Sequence, residues 1–319
     1  MAILLEEVSD LENLNLAFYQ CLRGKRNAVG AQKVFLHWDK LLFSLQKNLQ
    51  LGEDYPWGHY RKFWVCDPKR RLISSAPFID RVAHRAIHNV LYPLVDPLFV
   101  PSTFACREGK GNGRAVLYLR RLLQKHPQDY IIKLDVKKFF NSINQYILFR
   151  KLARTLPDKS LLGLILGLLK SHPDLQNGVG LPLGNLTSQV FANFYLNEID
   201  QRMYELTEGK YIRYMDDILL FASSLREANK LKREFLTLAR REQLSFPQRK
   251  QAVFAPGTPI PFLGFSVTKD KAIPLNRNKR RIEKKLKRKV RSNFPDYQIY
   301  QSILSYKTWR EYPNSNLVF

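Results

Sequence analysis

The stretch YIRYMDDILLFA (211–222) places two adjacent carboxylates, Asp216 and Asp217, inside a run of aromatic and aliphatic residues. The flanking segments have the composition of buried strands, and the Asp-Asp pair between them predicts a two-residue β-hairpin turn. Aspartate suits that position because it tolerates the left-handed backbone of such turns. Aspartate is also common in turns that have no other role, so the pair alone leaves a purely structural interpretation open.

A third carboxylate changes this balance. Asp135 ends the apolar strand YIIKLD (130–135), where an unpaired charge is costly unless a cation compensates it. If this strand lies beside the hairpin, Asp135 and Asp216 converge on one edge of the sheet, with Asp217 adjacent. Three hard oxygen ligands without a nearby histidine or cysteine favour Mg²⁺, or Mn²⁺, over zinc. Two such ions about 3.5–4 Å apart can hold the attacking and leaving oxygens of an in-line phosphoryl transfer.

The order of elements predicts an α+β fold, an antiparallel sheet backed by helices. In the first third of the chain we expect helices over the first 50 or so residues, a basic hairpin at about 60–75, a helix from about Asp80 to Pro93, and a Gly-rich loop CREGKGNGR (106–114). The middle third should contain a strand at 130–135, helical sequence over 152–170, and one long helix after the turn GLPLGN (180–185). The 211–222 hairpin, a helix over 223–243 and a short strand in PFLGFSV (261–267) should follow.

The charge balance points to a polyanionic partner. The chain of 319 residues has 52 Lys+Arg against 28 Asp+Glu, a net charge of +24. Residues 277–291 (RNKRRIEKKLKRKVR) hold ten basic residues and one acidic residue, with Ile282, Leu286 and Val290 four apart. A solvated surface helix is the ordinary interpretation of such a run. We favour a nucleic-acid contact, because the apolar stripe allows docking while the other faces are basic.

Three widely spaced cysteines, without a CxxC pair, favour a reduced compartment. The start MAILLEEVSD lacks a basic region before its apolar residues, and the apolar run LLGLILGLL (161–169) is too short to span a bilayer. The sequence thus predicts a soluble, cytoplasmic protein with no membrane partner. His84 and His88 are four apart on the predicted helix, but without a third ligand close in sequence they make a poor zinc site.

Several motifs together resemble the reverse transcriptases. They are YMDD in a hairpin, Asp135 followed by Phe139 and Phe140, LPLGNLTSQ (181–189), and PFLGF (261–265). The resemblance covers roughly residues 60–290 in the motif order of the family. It implies a right-hand fold, with an N-terminal helical extension at 1–55, fingers and palm at 56–270, and a short basic thumb at 271–319.

The resemblance also implies residue roles. For metal binding and catalysis these are Asp135, Asp216 and Asp217, with the Val136 carbonyl nearby. For nucleotide binding, Lys62 and Arg71 would grip the phosphates, and the N–H groups of Lys138 and Phe139 would face the triphosphate. Phe140 would act as a steric gate against a ribose 2′-hydroxyl. The motif residues Leu183, Gly184 and Gln189 would also contact the nucleotide, and Lys250 would lie near the leaving pyrophosphate. Core packing of Phe140 and an ordinary surface role of Lys250 remain alternatives.

Further contacts to primer and template are expected from four regions. They are the PFLGF segment as primer grip (Phe262, Leu263, Gly264), Tyr214 at the primer end, the Gly-rich loop on the RNA template (Arg107, Lys110, Arg114), and the basic thumb helix (Lys284, Lys285, Arg288). The predicted ligands are therefore template RNA, primer or cDNA, dNTPs and two Mg²⁺ ions, with Mn²⁺ as a substitute.

The departures from the family pattern narrow the prediction. Many members carry Gln where this chain has Leu183, and Ser-Pro where it has Ser188-Gln189. Replacing a directional contact near the nucleotide sugar by an apolar one should loosen base discrimination. With FACREGKGNGRAV (104–116) and the short thumb, the pattern is similar to reverse transcriptases of diversity-generating retroelements. These copy a template-repeat RNA into cDNA mutated chiefly at adenines and work with a small basic accessory variability protein. A retron or abortive-infection type enzyme, or a catalytically silent nucleic-acid-binding scaffold, remains the alternative.

Overall fold

The computed structural model describes residues 3–24, 29–66, 70–175 and 177–314. Its chain divides into two compact units. The first unit comprises Met1–Phe99, Lys137–Glu198 and Ala239–Ser245, and the second comprises Val100–Val136, Ile199–Leu238 and Phe246–Phe319. The sequence-based boundaries at residues 55 and 270 stay a prediction.

In chain order, the α-helices of the described residues are α1 (Ile3–Ser9), α2 (Leu11–Leu22), α3 (Val29–Leu36), α4 (Trp38–Leu49), α5 (Phe78–Val95), α6 (Asn112–Lys125), α7 (Phe139–Ser142), α8 (Gln145–Thr155), α9 (Lys159–Lys170), α10 (Leu186–Tyr195), α11 (Asn197–Leu206), α12 (Leu225–Arg241), α13 (Asn276–Arg291) and α14 (Asp296–Glu311). The strands are β1 (Arg61–Cys66), β2 (Arg70–Ser75), β3 (Tyr130–Asp135), β4 (Tyr211–Tyr214), β5 (Asp217–Ala222), β6 (Gln251–Phe254), β7 (Ile260–Phe262), β8 (Phe265–Val267) and β9 (Ala272–Pro274).

The first unit is built around α5, which packs against α2 and α10. The sequence pattern puts Val82, Ile87, Val90 and Leu91 on one face of this helix; Val82, Ile87 and Leu91 are buried, and Val90 is half-buried. The helix passes Pro93 and ends at Val95, slightly later than expected. A proline this close to the C-terminus removes only one helical N–H, so the last turn can still form. The hairpin of β1 and β2 confirms the expected one at 60–75, although its turn residues 67–69 lie outside the described part.

The second unit contains a four-stranded antiparallel sheet in the order β4-β5-β3-β6. Its strands are short apolar runs whose middle residues, such as Ile132, Leu134 and Leu219, are fully buried. A second sheet, β7-β8-β9, contributes Phe262 and Phe265 to the same core as Ile131 and Phe221. The expected α+β class with an antiparallel sheet is confirmed.

Three local predictions were wrong: the residues of the turn in 211–222, the single strand in PFLGFSV, and the single helix after 180–185. The 211–222 hairpin turns at Met215 and Asp216 rather than at the two aspartates, because Asp217 pairs with Tyr214 as the first residue of β5. Met215, not an aspartate, takes the left-handed backbone with φ 56°. The PFLGF segment is a hairpin of β7 and β8 rather than one strand.

The expected long helix after 180–185 is two helices, α10 and α11, that separate at Leu196. The buried ammonium of Lys151 donates to the Tyr195 carbonyl at 2.9 Å. That carbonyl lies in the last turn of α10, where it needs a partner from outside the helix. Along the described ranges, no helix is both long enough and apolar enough to cross a membrane.

Candidate active site

Sheet register brings two of the predicted acidic residues face to face. Asp135, the last residue of β3, is the cross-strand partner of Asp217, the first residue of β5. The Val136 N–H donates to the Asp216 carbonyl at 3.3 Å, which ties the end of β3 to the hairpin turn. The three aspartates therefore lie at one end of a single sheet in the second unit, while their roles remain predictions.

Two lysines neutralise these carboxylates. The Nζ of Lys133 lies 2.8 and 3.0 Å from the two carboxylate oxygens of Asp217 and donates to the Pro261 carbonyl at 2.6 Å. The Nζ of Lys250 contacts the Asp135 carboxylate and also donates to the Val136 carbonyl at 3.0 Å. Lys250 thus binds the same two oxygen donors that the sequence assigns to a metal.

The three aspartates interact electrostatically. The pKa of Asp217 is raised to about 6, chiefly by burial; the Lys133 ammonium lowers it, and the negative charges of Asp135 and Asp216 add to the rise. The raised pKa means that the ionised form of Asp217 is destabilised here, and a nearby positive charge relieves that cost. The sheet end therefore favours an additional cation.

The donor set fits a hard divalent cation. Carboxylates from Asp135, Asp216 and Asp217 and the Val136 carbonyl are oxygen ligands of the kind that Mg²⁺ and Mn²⁺ take. Among the described residues, however, no three His, Cys, Asp or Glu side chains are already arranged around one metal position. The reason lies in the ion pairs, since Lys133 and Lys250 hold two of the carboxylates. Binding a metal here requires at least Lys250 to move.

A buried ion pair fixes the turn that carries Asp216. Arg213 is fully buried, and its Nη2 and Nε donate to the Asp200 carboxylate at 2.5 and 2.8 Å. The Tyr211 hydroxyl donates to the same carboxylate at 2.6 Å. The Nη1 of Arg213 donates to the Met215 carbonyl at 3.2 Å, immediately before Asp216. This network holds the strained Met215 backbone in place, so Arg213 acts on the site through the turn.

Lys133 and Arg213 were not among the predicted site residues. Lys133 is two residues before Asp135, and side chains two apart on a strand share a face, so that spacing could have indicated it. Arg213 is an arginine inside an otherwise apolar strand, which signals a buried acidic partner. The sequence does not show which acid that is.

The predicted primer-grip segment is a tight hairpin turn in the second unit. Leu263 and Gly264 both have positive φ, 45° and 93°. A Cβ on Gly264 would lie 2.4 Å from the movable Nδ2 of Asn278, so it is chiefly the positive φ that favours glycine here. Phe262 is buried in the core, and Tyr214 is half-buried beside it. The turn backbone and the partly exposed side chains of Leu263 and Tyr214 are the groups available for a primer contact here.

The basic side chains of the Gly-rich loop are turned onto the protein. Arg107 donates to the carbonyls of Val100 and Thr103 at 2.9 and 3.2 Å. Lys110 donates to the Pro101 carbonyl, and Arg114 to the Tyr312 hydroxyl at 3.3 Å. Their predicted template contacts would require these bonds to open.

The predicted thumb helix exists as α13. Lys284 and Arg288 line a shallow surface cleft of about 420 Å³ on that helix, with only Glu283 as an acidic lining residue. Lys285 lies on the same helix. Ile282 and Leu286 are half-buried, while Val290 is exposed, so the apolar stripe is only partly covered. The helix remains suited to a polyanion.

The predicted nucleotide-binding residues of the first unit fall into three groups, the third being the motif at 181–189. On the β1–β2 hairpin, Arg71 is exposed, while the Lys62 ammonium is paired with Asp174. After β3, Lys138 has a left-handed backbone with φ 48° and precedes the short α7. Phe139 is buried, and Phe140 is half-buried with its ring 5.9 Å from that of Phe139. Phe140 thus combines packing with a partly exposed edge.

The motif at 181–189 is fastened to the hairpin by its backbone. The Ser74 N–H donates to the Leu183 carbonyl at 2.8 Å. Gly184 has φ 130°, and a Cβ on it would lie 2.6 Å from the Ser74 carbonyl oxygen, so glycine is required. Gln189 is half-buried on α10. Of the histidines set aside above, His84 bonds to Thr187 and His88 stacks on Tyr92, so neither contacts the other in a metal site.

The comparisons with known proteins agree with this geometry. The family model for reverse transcriptase (RNA-dependent DNA polymerase) matches residues 66–267, well over half of the 319 residues. The chain therefore belongs to the reverse transcriptase family. The expected enzyme class, an RNA-directed DNA polymerase, is confirmed at this level. Members of the family act on nucleic-acid template and primer with dNTPs and use a divalent metal.

Individual relatives are distant. Protein YkfC of Escherichia coli (strain K12) is 22% identical over 163 residues, which is 46% of this chain and 43% of YkfC. Apo telomerase from Candida tropicalis superposes with a TM-score of 0.51 at 11% identity, over 68% of this chain and 48% of the telomerase chain. The chain thus spans less than half the length of each. At this identity the telomerase likeness shows the fold alone.

Proposed function

We propose that this chain is the reverse transcriptase of a diversity-generating retroelement. It copies a template-repeat RNA into cDNA that is mutated chiefly at template adenines, and the cDNA diversifies a target gene. The observation that carries the polymerase part is the placement of Asp135, Asp216 and Asp217 at one end of an antiparallel sheet. The retroelement part is supported by the sequence motifs 104–116 and 181–189, and by Leu183 in particular.

In this proposal Asp135, Asp216 and the Val136 carbonyl hold the divalent cations, with Asp217 assisting. Two bound Mg²⁺ ions would activate the primer 3′-hydroxyl and neutralise the leaving pyrophosphate. The Lys250 ammonium, which contacts Asp135 in the absence of cations, would be available for the pyrophosphate once cations occupied that carboxylate. Lys133 keeps Asp217 ionised and oriented through its bonds to that carboxylate and to Pro261.

The nucleotide is selected by residues of the first unit. Arg71 and Lys62 grip its phosphates, Lys62 after leaving Asp174. The edge of Phe140 excludes a ribose 2′-hydroxyl, so that dNTPs are preferred. Leu183 offers shape but no hydrogen bond near the sugar, which lowers the penalty for a wrong base. A small basic accessory protein is the expected partner for synthesis on the natural template.

Sequencing the cDNA made on a defined RNA template tests the proposal. The purified chain receives an annealed primer, four dNTPs and Mg²⁺, with and without a candidate accessory protein. Substitutions concentrated at template adenines are expected. Faithful copies or untemplated tails would contradict the retroelement assignment and favour a retron or abortive-infection type enzyme, whereas RNA binding without any synthesis would indicate a silent scaffold.

A further inference from the structure

The first unit contains a small, strongly basic cavity. It has a volume of about 250 Å³ and lies against α5, the end of α2 and the start of α10. Its charged lining residues are Arg23, Arg81 and Arg85, and no described lining residue is a carboxylate. Sites for whole small molecules usually measure about 300–1,000 Å³. This cavity suits a single small anionic group better than a complete nucleoside.

Three side-chain nitrogens of the cavity lining have no hydrogen-bond partner among the described residues. Arg81, His84 and Arg85 lie on one face of α5, at i, i+3 and i+4. The Nε atoms of both arginines and the Nε2 of His84 are buried and lack a hydrogen-bond partner within the described part of the chain. A buried donor without an acceptor costs about 1–3 kcal/mol. The Gln20 Oε1 and the Asn185 Oδ1 of the same lining also lack a partner, so it is the two arginine donors, without a carboxylate beside them, that indicate an anionic acceptor from outside the chain.

His84 is suited to donate although it carries no charge. It is 1% exposed, and burial lowers its pKa to about 3, so it is neutral at physiological pH. Its Nδ1 lies 2.9 Å from the Thr187 hydroxyl. When that hydroxyl donates to Nδ1, the ring hydrogen is on Nε2, the atom at the cavity. In that tautomer the imidazole offers an N–H donor to a ligand of the cavity.

The start of α10 adds backbone donors. Asn185 occupies the N-cap position but makes no side-chain cap bond. It donates instead to the Tyr60 hydroxyl at 2.9 Å. The N–H groups of the first turn are therefore not capped by Asn185, and Leu186, the first residue of the helix, lines the cavity. Such a helix end carries a partial positive charge that favours anions.

We propose that this cavity binds one phosphate group. Two arginine guanidinium groups, a neutral imidazole N–H and the end of α10 match the several acceptor oxygens and the negative charge of phosphate. The source of the phosphate is the backbone of a nucleic-acid strand, an assignment that rests on the proposed function and agrees with the net charge of +24. Free inorganic phosphate presents the same chemistry, so the experiment has one arm for each source.

The test compares two double variants of equal charge. Arg81→Gln/Arg85→Gln removes the cavity arginines, and Arg150→Gln/Arg154→Gln removes two exposed arginines at the same i, i+4 spacing on α8 of the same unit. One arm measures the melting temperature in sodium phosphate against sodium chloride of equal ionic strength. The other measures binding of a fluorescent single-stranded RNA over a salt series, with EDTA present so that no synthesis occurs.

Phosphate should raise the melting temperature of the wild type and the α8 variant but not of the cavity variant. RNA affinity of the cavity variant should fall about ten-fold below that of the α8 variant, as expected for lost charge-assisted hydrogen bonds. The slope of log affinity against log salt should become shallower by about 0.7 for one lost phosphate contact. A cavity variant that matches the α8 variant in both arms would overturn the proposal.

Mixed results are equally decisive. If the phosphate effect disappears while RNA affinity matches the α8 variant, the phosphate site stands and the strand as its source is overturned. If the cavity variant fails to fold, Arg81→Lys/Arg85→Lys keeps the charge but lacks the planar fork. That variant should show a weakened phosphate effect, and wild-type behaviour in both arms would again overturn the proposal. Because neither arm requires catalysis, an inactive polymerase would leave this result intact.

Discussion

The sheet end of the second unit and the α5 cavity of the first treat buried charge in opposite ways. At the sheet end Lys133 pairs with Asp217 and Lys250 with Asp135, so two of the catalytic candidates have ammonium partners from the chain. At the cavity, Arg81, His84 and Arg85 keep donors without acceptors. An ion pair within the chain fixes the position of a carboxylate before any ligand binds, whereas a buried donor without an acceptor gains its hydrogen bond only when a ligand binds. The comparison distinguishes side chains that are already held by partners within the chain from side chains that, in our proposal, complete their hydrogen bonds with a nucleic-acid phosphate.

The largest effect is expected at the buried pair behind the turn. Arg213→Met leaves the Asp200 carboxylate buried without its cation, which should lower the free energy of unfolding by about 3–5 kcal/mol. Urea unfolding measures this. The exposed pair of Arg202 and Glu205 provides the control, because Arg202→Met should cost no more than about 1 kcal/mol. Equal losses in both variants would show that the Arg213 network does not stabilise the turn.

A somewhat smaller effect is expected at the cavity wall. Gly184→Ala places a Cβ 2.6 Å from the Ser74 carbonyl and forces an L residue to φ 130°. We expect a loss of about 3 kcal/mol, from backbone strain and overpacking together. Gly178→Ala shares the positive φ but meets no atom within 4 Å, so strain alone should cost it about 1 kcal/mol. Similar unfolding midpoints for the two variants would rule out the close approach.

The buried histidine of the cavity should make stability depend on pH. Because the folded pKa of His84 lies at about 3, below its ordinary 6.5, the unfolded chain binds the proton more readily. Stability from this group is complete above pH 6.5 and falls as the pH drops toward 3. At pH 5 the loss is about 2 kcal/mol. His84→Gln should flatten urea-derived stability between pH 7 and 5, whereas the exposed His59→Gln should follow the wild type.

The smallest effect is expected from removing the Lys250 ammonium, which contacts Asp135 at the end of the sheet. Lys250→Met removes the ammonium from Asp135 and the Val136 carbonyl, so a divalent cation no longer competes with it. The affinity for Mn²⁺, followed by electron paramagnetic resonance, should rise by up to about ten-fold. Lys170→Met, which removes an exposed pair with Glu53, should leave it unchanged. Weaker Mn²⁺ binding by the Lys250 variant would mean that Lys250 supports the metal position.

The placement of Asp135, Asp216 and Asp217 at one end of the sheet could be predicted from the sequence. The apolar residues of the strands and the short hairpin allow only a few strand registers that keep both faces of the strands buried. The residues that form the turn of the 211–222 hairpin could not be predicted. Aspartate and methionine both fit the loop, and the pairing of Asp217 with Asp135 in the neighbouring strand decides which residue enters β5. Pairing between distant elements is not encoded in local sequence preferences.

The pairing of Arg213 with Asp200, and the open donors of α5, were beyond sequence analysis for a related reason. The spacing of His84 and His88 alone made only a poor zinc site, and the structure gives the two rings separate neighbours, Thr187 and Tyr92. Which side chains share a cavity depends on how α5, α2 and α10 pack. Composition gave only the general expectation of a polyanionic partner.

Primer extension on an RNA template in Mg²⁺ tests the central claim most directly, by comparing the wild type with Asp216→Asn. The claim predicts that this variant loses at least about 10³-fold in rate, since a divalent-cation ligand supports several kcal/mol of transition-state stabilisation. Asp270→Asn, an exposed aspartate of the same unit, should extend the primer at the wild-type rate. Wild-type synthesis by Asp216→Asn would contradict the assignment of the sheet end as the catalytic centre.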